Sequence, residues 1–384
     1  MKTWMFASAW LTLVEMTNVV DACPLGRSCN VQLQGDINTP ADDSMHCAVD
    51  ARACDRWGIC QCSLADFSPY ALEWWYWTAH LETNEGKQYG FAEIVYTAID
   101  WESSLPMHWA DHTISDIQEQ HYYFGGRETV LGLPERIANG FKFVFPNAFI
   151  QGGNGHDHIH SRVQSEGRTY QVDLDLIARK APVLQRADGL VQYYSRERMD
   201  ARGTLVLDGV PDQVQGTVWF DHQFGPQRVA FQNLLHWTWF ALQLDDEREL
   251  VVYEVEMPDW DPNYPGGVFE GTLTDEHCQT THLGRSDFNV TPLGSWTSPW
   301  MPKGWPAAVQ CVYPLGWRIE VPNQGIDVVV TPLFPEQEII VPEVAGTPVV
   351  GDRYWEGAAA VDGSVQGSAY VELNGYCPYA PFSG

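Results

Sequence analysis

One stretch of the chain places an acid among aromatic residues, in a setting that favours proton transfer. The sequence VQGTVWFDHQFG runs from Val214 to Gly225 and has the character of a β-strand. With a period of two, Trp219 and Asp221 share one face of that strand, while His222 points to the other. A carboxyl beside an indole is partly desolvated, and desolvation raises the pKa of a carboxyl. Asp221 is therefore the leading candidate for a general acid near neutral pH.

A second stretch, close to the end of the chain, repeats this pattern. VQGSAYVELNGY runs from Val365 to Tyr376, and it aligns Tyr370 with Trp219 and Glu372 with Asp221. An Asp-Gly turn sequence precedes each copy. Two strands of any β protein can look alike, but a match of this length that includes the turn favours an internal duplication.

A similar hairpin opens each half. The spacing W-x-W-x-A occurs at Trp75, Trp77 and Ala79, and again at Trp237, Trp239 and Ala241. A polar turn and an apolar return strand follow in both places. We therefore expect two β units of about 150 residues, each with an opening hairpin and a closing VQG strand.

Strand patterns also continue between these ends. No long stretch with a 3.6-residue period stands out, so helices should be few. Antiparallel strands at this density must close or stack to protect their edges. The chain is therefore predicted to be all-β, with a β-barrel or a strongly curved sandwich in each half.

Charge and composition exclude some classes of partner. The 384-residue chain has a net charge of -28, which argues against nucleic acid because phosphate binding needs a basic surface. An anionic membrane face would also repel it. The chain contains 17 Trp, 16 Tyr and 16 Phe, which is typical of large β cores, of an apolar cavity, or of both.

The first 22 residues resemble an export signal. Lys2 supplies a positive start, and the apolar run from Trp4 to Val14 is too short to span a bilayer. Cleavage after Ala22 would make Cys23 the first residue of a secreted or periplasmic protein with no stable membrane insertion. Lipidation of Cys23 is the alternative, and it would add a lipid anchor.

The cysteines agree with export. Six of the nine lie between Cys23 and Cys62, in a polar segment without clear periodicity. This density outside any enzyme motif predicts disulfides in an oxidising compartment, and the spacing fits zinc poorly. In the second half, Cys278 and Cys311 are predicted to pair because they precede the closing strand.

The motifs EWWYWTAHL, YYS, WFDHQFG and YWEG resemble the AttH and carotenoid-hydratase superfamily of lipocalin-like proteins. They occur in family order over residues 66–376. The resemblance implies two tandem lipocalin-like β domains with a ligand cavity at or near their junction. The predicted division is an export signal at 1–22, a Cys-rich leader at 23–66, and lipocalin-like domains at 67–228 and 229–378.

Members of this superfamily add water to a C=C bond of carotenoids or of prenylated phytoalexins such as kievitone, and others assist Diels–Alder cyclisations. The fold therefore does not decide the reaction. This chain also departs from the family pattern, since Gln223 stands where Glu is common and Thr238 stands where Asp is common.

A hydratase interpretation assigns roles to the motif residues. Asp221 would deliver a proton to carbon, aromatic faces would stabilise the cation, and Tyr194 or His222 would orient water. The predicted ligand-binding residues are Trp75, Trp77, Trp219, Trp237, Trp239, Glu356 and Glu372. The structural alternative is a buried Asp221 bonded to backbone or arginine, tryptophans in a core, and glutamates paired with Arg196, Arg198 or Arg353.

The sequence HDHIH places His156, His158 and His160 on one side of a strand, as in a three-nitrogen zinc site. The glycines just before it indicate a loop or hairpin rim, so a solvated histidine cluster is the preferred prediction. We predict neither a metal nor a cofactor. The sequence contains no G-x-S-x-G motif, P-loop or dinucleotide fingerprint.

Together these features predict an exported lipocalin-like protein that binds an apolar, isoprenoid- or polyketide-like small molecule. The favoured activity is cofactor-free addition of water to a C=C bond. A cofactor-free pericyclase is the enzymatic alternative, and a non-catalytic carrier of hydrophobic ligands is the binding alternative.

Overall fold

The computed structural model describes residues 72–377, apart from 100–105, 133, 138–139, 188–191, 225–234, 261–264, 301–309 and 342–351. The predicted export signal, the Cys-rich leader and the leader disulfides lie outside the described residues. Within those described ranges, no helix has both the length and the apolar character that a membrane crossing requires.

The first half forms one antiparallel sheet of twelve strands. Eleven of them follow one another in the order β4-β3-β2-β1-β12-β11-β9-β8-β7-β6-β5, and β10 pairs with β11 off this path. The strands are β1 (Leu72–Thr83), β2 (Gln88–Ile99), β3 (Pro106–Asp116), β4 (His121–Leu131), β5 (Glu135–Ile137), β6 (Gly140–Val144), β7 (Ala148–Gly153), β8 (His156–Ser165), β9 (Arg168–Ala178), β10 (Val183–Ala187), β11 (Gln192–Leu207) and β12 (Val210–Phe224).

This sheet curls until distant strands meet around a shared core. Arg168 on β9 donates to Glu119 after β3 at 2.7 Å, and Tyr170 donates to Asp116 at 3.1 Å. Alternation along β9 puts most of its apolar side chains inside the curl and its acids outside. The buried core inside the curl includes Phe91, Phe143, Ile159 and Leu174.

The second half forms a ten-stranded antiparallel sheet in the order β16-β15-β14-β13-β24-β23-β21-β20-β17, with β22 paired to β23. A separate two-stranded sheet joins β18 to β19. The elements are β13 (His236–Leu244), β14 (Glu249–Glu256), β15 (Val268–Thr274), β16 (Thr280–Gly284), β17 (Asn289–Pro292), β18 (Ser295–Thr297), β19 (Val312–Pro314), β20 (Trp317–Val321), a 3-10 turn (Pro322–Gln324), β21 (Ile326–Pro332), β22 (Glu338–Val341), β23 (Asp352–Gly363) and β24 (Gly367–Asn374).

The second sheet has its own core, built around Phe240, Trp317 and Trp355. The rings of Phe240 and Trp317 lie 5.2 Å apart, and those of Trp317 and Trp355 lie 6.3 Å apart. The described residues thus confirm the all-β class, and each half encloses a separate apolar core.

The closing strands have equivalent places in the two sheets. β12 pairs with β1, and β24 pairs with β13. Both VQG glycines sit where a Cβ would strike the opening strand: it would lie 1.9 Å from the backbone oxygen of His80 for Gly216, and 2.4 Å from that of Gln243 for Gly367. Glycine is therefore required in both motifs, because only it allows so close a backbone approach.

The register also shows how the predicted repeat must be corrected. Asp221 lies opposite Tyr76, and Glu372 lies opposite Trp239, so the two acids are equivalent as predicted. The W-x-W-x-A alignment is wrong by one residue, because Tyr76 rather than Trp77 corresponds to Trp239. Alternation then sends Trp77 and Trp239 to opposite faces of their sheets.

The predicted Cys278–Cys311 disulfide is wrong. Cys311, just before β19, bonds to Cys377, which follows the closing strand β24. Cys278 is also disulfide-bonded, but its partner is not Cys311. The prediction considered only cysteines ahead of the closing strand, whereas the chain after β24 returns to β19, where the Tyr313 hydroxyl contacts Cys377.

Candidate active site at the junction of the two sheets

The two sheets meet through a third buried cluster that is rich in aromatic rings. The first sheet contributes Tyr76, Tyr193 and Trp219, and the second contributes Trp239, Tyr253, Tyr354 and Tyr370. We call this region the junction site. It differs from the two separate cores because rings from both sheets meet in it, with acidic groups among them.

Asp221 lies in the middle of this site and is 3% exposed. Its Oδ1 accepts hydrogen bonds from the hydroxyl of Ser195 and from the indole of Trp219, the latter at 2.6 Å. Its Oδ2 accepts from the hydroxyl of Tyr193 at 2.6 Å. The prediction that Trp219 and Asp221 share a strand face is confirmed, and the described partners of Asp221 are neutral side chains rather than an arginine.

These surroundings favour a protonated Asp221. Burial raises the pKa of its carboxyl to about 7, although the hydrogen bonds from Ser195, Tyr193 and Trp219 lower it in part. A carboxyl group offers about four acceptor positions. Three are filled, two of them on Oδ1, so the position that remains for a proton is on Oδ2.

Tyr193 links Asp221 to the second sheet. Its hydroxyl accepts from the indole nitrogen of Trp239 at 2.9 Å and donates to Asp221. The ring of Trp239 also contacts Tyr76 and Trp219 edge-on, with centroids 5.4 and 6.2 Å apart. Both halves of the chain are therefore needed to build the surroundings of Asp221.

A pair of glutamates lies near Asp221. Glu356 and Glu372 are cross-strand neighbours on β23 and β24. Glu356 accepts a hydrogen bond from Tyr76, the residue opposite Asp221, so the predicted arginine pairing of Glu356 is wrong. Burial, followed by the nearby charge of Glu372, raises the pKa of Glu356 well above its usual range. Both causes favour the protonated, uncharged form of Glu356.

Several buried polar atoms next to Glu356 lack a hydrogen bond of good geometry among the described residues, although Thr113 lies close enough to the hydroxyls of Tyr122 and Tyr370 to interact with both. They are Oε2 of Glu356, Oγ1 of Thr113, and the hydroxyls of Tyr122 and Tyr370. An unpaired buried polar group costs about 1–3 kcal/mol, so such groups normally have a partner. Their convergence at the junction indicates a place where a polar group of a ligand, or water, would be held.

The other two predicted catalytic residues lie elsewhere. His222 and Tyr194 point into the first core, because they occupy the opposite strand parity from Asp221 and Tyr193. The Tyr194 hydroxyl lies 3.0 Å from Nδ1 of His222, whose Nε2 lies 2.8 Å from Glu73. They do not share a site with Asp221, so their predicted role of orienting water at that acid is wrong.

The predicted ligand-binding tryptophans also divide between two places. Trp219, Trp237 and Trp239 belong to the junction cluster. Trp75 and Trp77 lie inside the first sheet, where Trp75 stacks on His222 at 4.6 Å and Trp77 donates to Asp157 at 3.0 Å. A ligand in the junction would meet the first group and not the second. The ligand-binding role itself stays a prediction.

A surface cleft of about 580 Å³ opens along the same junction. Its wall includes His80 and Thr217 from the first sheet and Ser368 from the second. Thr217 shares one face of β12 with Trp219 and Asp221, but neither Trp219 nor Asp221 lines the cleft. The predicted cavity around Asp221 remains a prediction.

A cluster of charges joins the sheets at another point of the junction. Glu249 on β14 is completely buried and accepts hydrogen bonds from Lys180 and Arg198 of the first half. Lys180 also donates to the backbone oxygen of Glu247 at 2.7 Å. We call this group the Glu249 cluster.

Glu197 lies beside that cluster without a cation of its own. It is fully buried, and its Oε1 accepts from the hydroxyl of Thr272 at 3.3 Å and lies 3.4 Å from Nε2 of Gln185. Burial and the charge of Glu249 raise the pKa of Glu197 to about 8. In the unfolded chain, by contrast, a glutamate has a pKa of about 4.3.

Glu197→Gln is expected to stabilise the protein at alkaline pH and to have little effect in acid. The folded state binds the Glu197 proton more tightly than the unfolded state, so this group destabilises folding as the pH rises from about 4.3 to about 8. The amide cannot ionise, so the variant should gain a few kcal/mol, roughly, over the wild type at about pH 9. Urea unfolding of both proteins at about pH 5 and about pH 9 measures this difference.

Exposed Glu85, whose side chain is 72% accessible, supplies the matched control. Glu85→Gln should change stability equally little at both pH values. A gain for Glu197→Gln that is the same at both pH values would contradict the prediction, because it would show that ionisation of Glu197 is not its cause.

Sequence reasoning missed Tyr76, Tyr193 and Ser195. Ser195 lies directly opposite Asp221 on β11. The sequence contains the run Tyr193-Tyr194-Ser195. Which of these side chains lie on the same face as Asp221 depends on the register between β11 and β12. A single bulge or shift of one residue reverses which tyrosine faces the acid.

The sequence matches a known protein family. The AttH-like family matches residues 65–376, which is most of the chain. No curated protein matches the sequence.

Three solved structures are similar in fold. A candidate AttH protein from Nitrosomonas europaea has a TM-score of 0.64 and 22% identity, with 80% of this chain and 93% of that chain covered. Kievitone hydratase from Nectria haematococca has a TM-score of 0.55 and 17% identity, with 78% and 88% covered. CghA has a TM-score of 0.52 and 12% identity, with 91% and 99% covered.

Proposed function

The chain belongs to the AttH-like family, and from that premise we propose that it binds a largely apolar small molecule at the junction site and adds water to a C=C bond. The ligand class is isoprenoid- or polyketide-like. Asp221 is the proton donor, and the reaction uses no cofactor.

The observation that carries this proposal is the setting of Asp221. The carboxyl is buried among aromatic rings, and its described hydrogen bonds come from Tyr193, Ser195 and Trp219 rather than from a cation. A carboxyl that serves only structure is usually paired with a positive charge when buried. A carboxyl with a raised pKa that is held by three neutral hydrogen-bond donors is instead suited to general acid catalysis.

The chemistry needs only Asp221, water and aromatic rings. The Asp221 carboxyl gives its proton to one alkene carbon, and the π electrons of the C=C bond form the new C–H bond. The cation on the other carbon is stabilised by the faces of Trp219, Trp239 or Tyr76. Water attacks this cation and returns a proton to the Asp221 carboxylate, so one water is added and the acid is restored.

The buried hydroxyl groups near Glu356 indicate which chemical group the other end of the ligand carries. Tyr122, Tyr370 and Thr113 can each donate a hydrogen bond, and Glu356 can donate as well when it is protonated. A hydroxyl or carbonyl oxygen on an otherwise apolar molecule would satisfy them. The proposed ligand is therefore apolar in its body and oxygenated at one end.

The same hydroxyls favour a second candidate, a cofactor-free pericyclase. Hydrogen bonds from Tyr122 and Tyr370 to a carbonyl would withdraw electrons from a conjugated alkene and lower the barrier to cycloaddition. In that case Asp221 would position the ligand without transferring a proton.

Ligand recovered from the purified native protein, weighed by mass spectrometry before and after incubation, tests the proposal. A gain in mass of one water supports the hydratase. Isomerisation at constant mass supports the pericyclase, and an unchanged compound indicates a carrier.

The rate of hydration should fall at alkaline pH. If Asp221 must be protonated, kcat/KM is constant below about pH 7 and decreases above it, following the pKa of about 7. Tyr193→Phe removes a hydrogen bond that favours the ionised form, so it should move this decrease to higher pH. A pH–rate profile of both proteins measures the shift, and identical profiles would contradict the assignment.

We also propose that the protein works after export. The support is the apolar start of the chain and the cysteine density between Cys23 and Cys62. Sequencing of the mature N-terminus from the native source tests this, since a chain that still begins at Met1 would contradict it.

A further inference from the structure

The outer face of the first sheet carries two adjacent histidine–aspartate pairs. Nδ1 of His158 lies 2.9 Å from Asp175, and Nδ1 of His160 lies 3.0 Å from Asp173. Each histidine on β8 is the direct cross-strand partner of its aspartate on β9. The side chains of His158 and His160 are 35% and 39% exposed, so both rings are open to solvent.

These contacts select one tautomer of each neutral ring. A neutral imidazole that donates Nδ1–H to a carboxylate has its unprotonated lone pair on Nε2. No hydrogen bond of Nε2 in His158 or His160 occurs among the described residues. Nε2 of each ring therefore keeps its lone pair for a ligand, and an aspartate holds each ring through Nδ1.

The spacing lets the two nitrogens reach one ion. Residues two apart on a strand lie about 6.6 Å apart on the same face. Two imidazole nitrogens at 2.0–2.1 Å from a tetrahedral ion lie about 3.3 Å from each other. Each ring would need to lean toward the other by less than about 2 Å, which ordinary side-chain rotation provides.

We propose that His158 and His160 form a surface site for a divalent transition-metal ion such as Zn²⁺, with Asp173 and Asp175 as the residues that orient them. Metal-binding histidines commonly donate their second ring N–H to a carboxylate, as both do here. Two protein ligands leave the remaining coordination positions to water. The site is separate from the junction and does not depend on the proposed reaction.

Simple cross-strand ion pairing does not account for the whole arrangement. An exposed ion pair contributes little to stability, so one pair would need no further explanation. Here two neighbouring histidines on β8 each contact an aspartate on β9, and both use the same ring nitrogen, Nδ1. The chain also has a net charge of -28, which raises the local concentration of cations at its surface.

His156 completes the HDHIH motif but does not belong to the proposed site. It lies opposite Ile177, so no aspartate faces it across the ladder. It is also four residues from His160, or about 13 Å along the strand, which is too far for both to bind the ion that His158 binds. His156 therefore supplies a matched control within the same motif.

Titration of the full, oxidised chain with Zn²⁺ by calorimetry near pH 7.5 tests the proposal. The wild type should bind one Zn²⁺ that His158→Ala and His160→Ala each lose, while His156→Ala retains it. Asp173→Ala combined with Asp175→Ala should weaken this binding about 10–100-fold, because the rings are no longer oriented. Nitrogen-15 spectra of the wild type should show that Nε2 of both rings is the atom perturbed by the ion.

Two results would overturn the assignment. Zn²⁺ binding that is unchanged in the His158→Ala and His160→Ala proteins would place the metal elsewhere on the chain. A loss in His156→Ala equal to that in His160→Ala would show unspecific binding along the strand. Circular dichroism of each variant confirms that the sheet is intact, since all three histidines lie on the solvent side of β8.

Discussion

Asp221→Asn is expected to reduce turnover about 10²–10⁴-fold and to leave ligand affinity nearly unchanged, because it removes one positioned acid. The amide keeps the shape of the carboxyl. Its oxygen can still accept from Ser195 and Trp219, and its NH₂ group can donate to Tyr193. It cannot give a proton to carbon. Turnover and binding should therefore separate in this variant.

Rates measured at saturating ligand, together with ligand affinity from fluorescence of the junction tryptophans, provide the two quantities. Tyr194→Phe is the matched control, because Tyr194 lies next to Tyr193 in sequence but faces the first core. That variant should retain turnover within a few-fold. An Asp221→Asn protein that is folded and fully active would leave the pericyclase and carrier interpretations.

Tyr193 faces Asp221 and Tyr194 faces the first core, and this difference separates what the sequence predicts from what it does not. Alternation within one strand is a local property, so the shared face of Trp219 and Asp221 could be predicted from β12 alone. The face of a neighbouring strand depends on register, and β11 has an irregularity between Arg196 and Met199. Local patterns do not encode that shift, so the sequence alone does not predict which of the two tyrosines faces Asp221.

The same limit explains the error in the opening hairpins. Tryptophan spacing aligned Trp77 with Trp239, although the glycines of the two VQG motifs align Tyr76 with Trp239. Those glycines are better markers than the tryptophans because a close backbone contact permits no other residue. An aromatic ring, by contrast, packs well on either face of a sheet.

Contacts between the sheets were the least predictable part of the site. The all-β class follows from periodicity, and the acids of the VQG strands follow from the duplication. Glu197, Lys180 and Glu249 lie far apart in the chain and have no shared motif. Their meeting results from how the two sheets pack, which no spacing within either half encodes.

Removing the charge of Glu249 should produce the largest loss of stability. Glu249→Gln keeps the size of the side chain but leaves Lys180, which is 5% exposed, without its carboxylate partner. Arg198 loses the same partner. Breaking a buried pair in this way typically costs about 3–5 kcal/mol, because the remaining charge is desolvated and uncompensated. Urea unfolding near neutral pH measures the free energy of unfolding of the variant and the wild type.

Two further variants decide whether an unpaired cation is the cause. Lys180→Met combined with Glu249→Gln should recover part of the loss, since an apolar side chain needs no counter-ion at a buried position. Asp327→Asn breaks an exposed pair with Arg318 on the outer face of the second sheet, and it should have a far smaller effect. If Glu249→Gln and Asp327→Asn cost the same, burial of Lys180 would not be what makes the Glu249 cluster important, and the two sheets would be held together by their aromatic contacts instead.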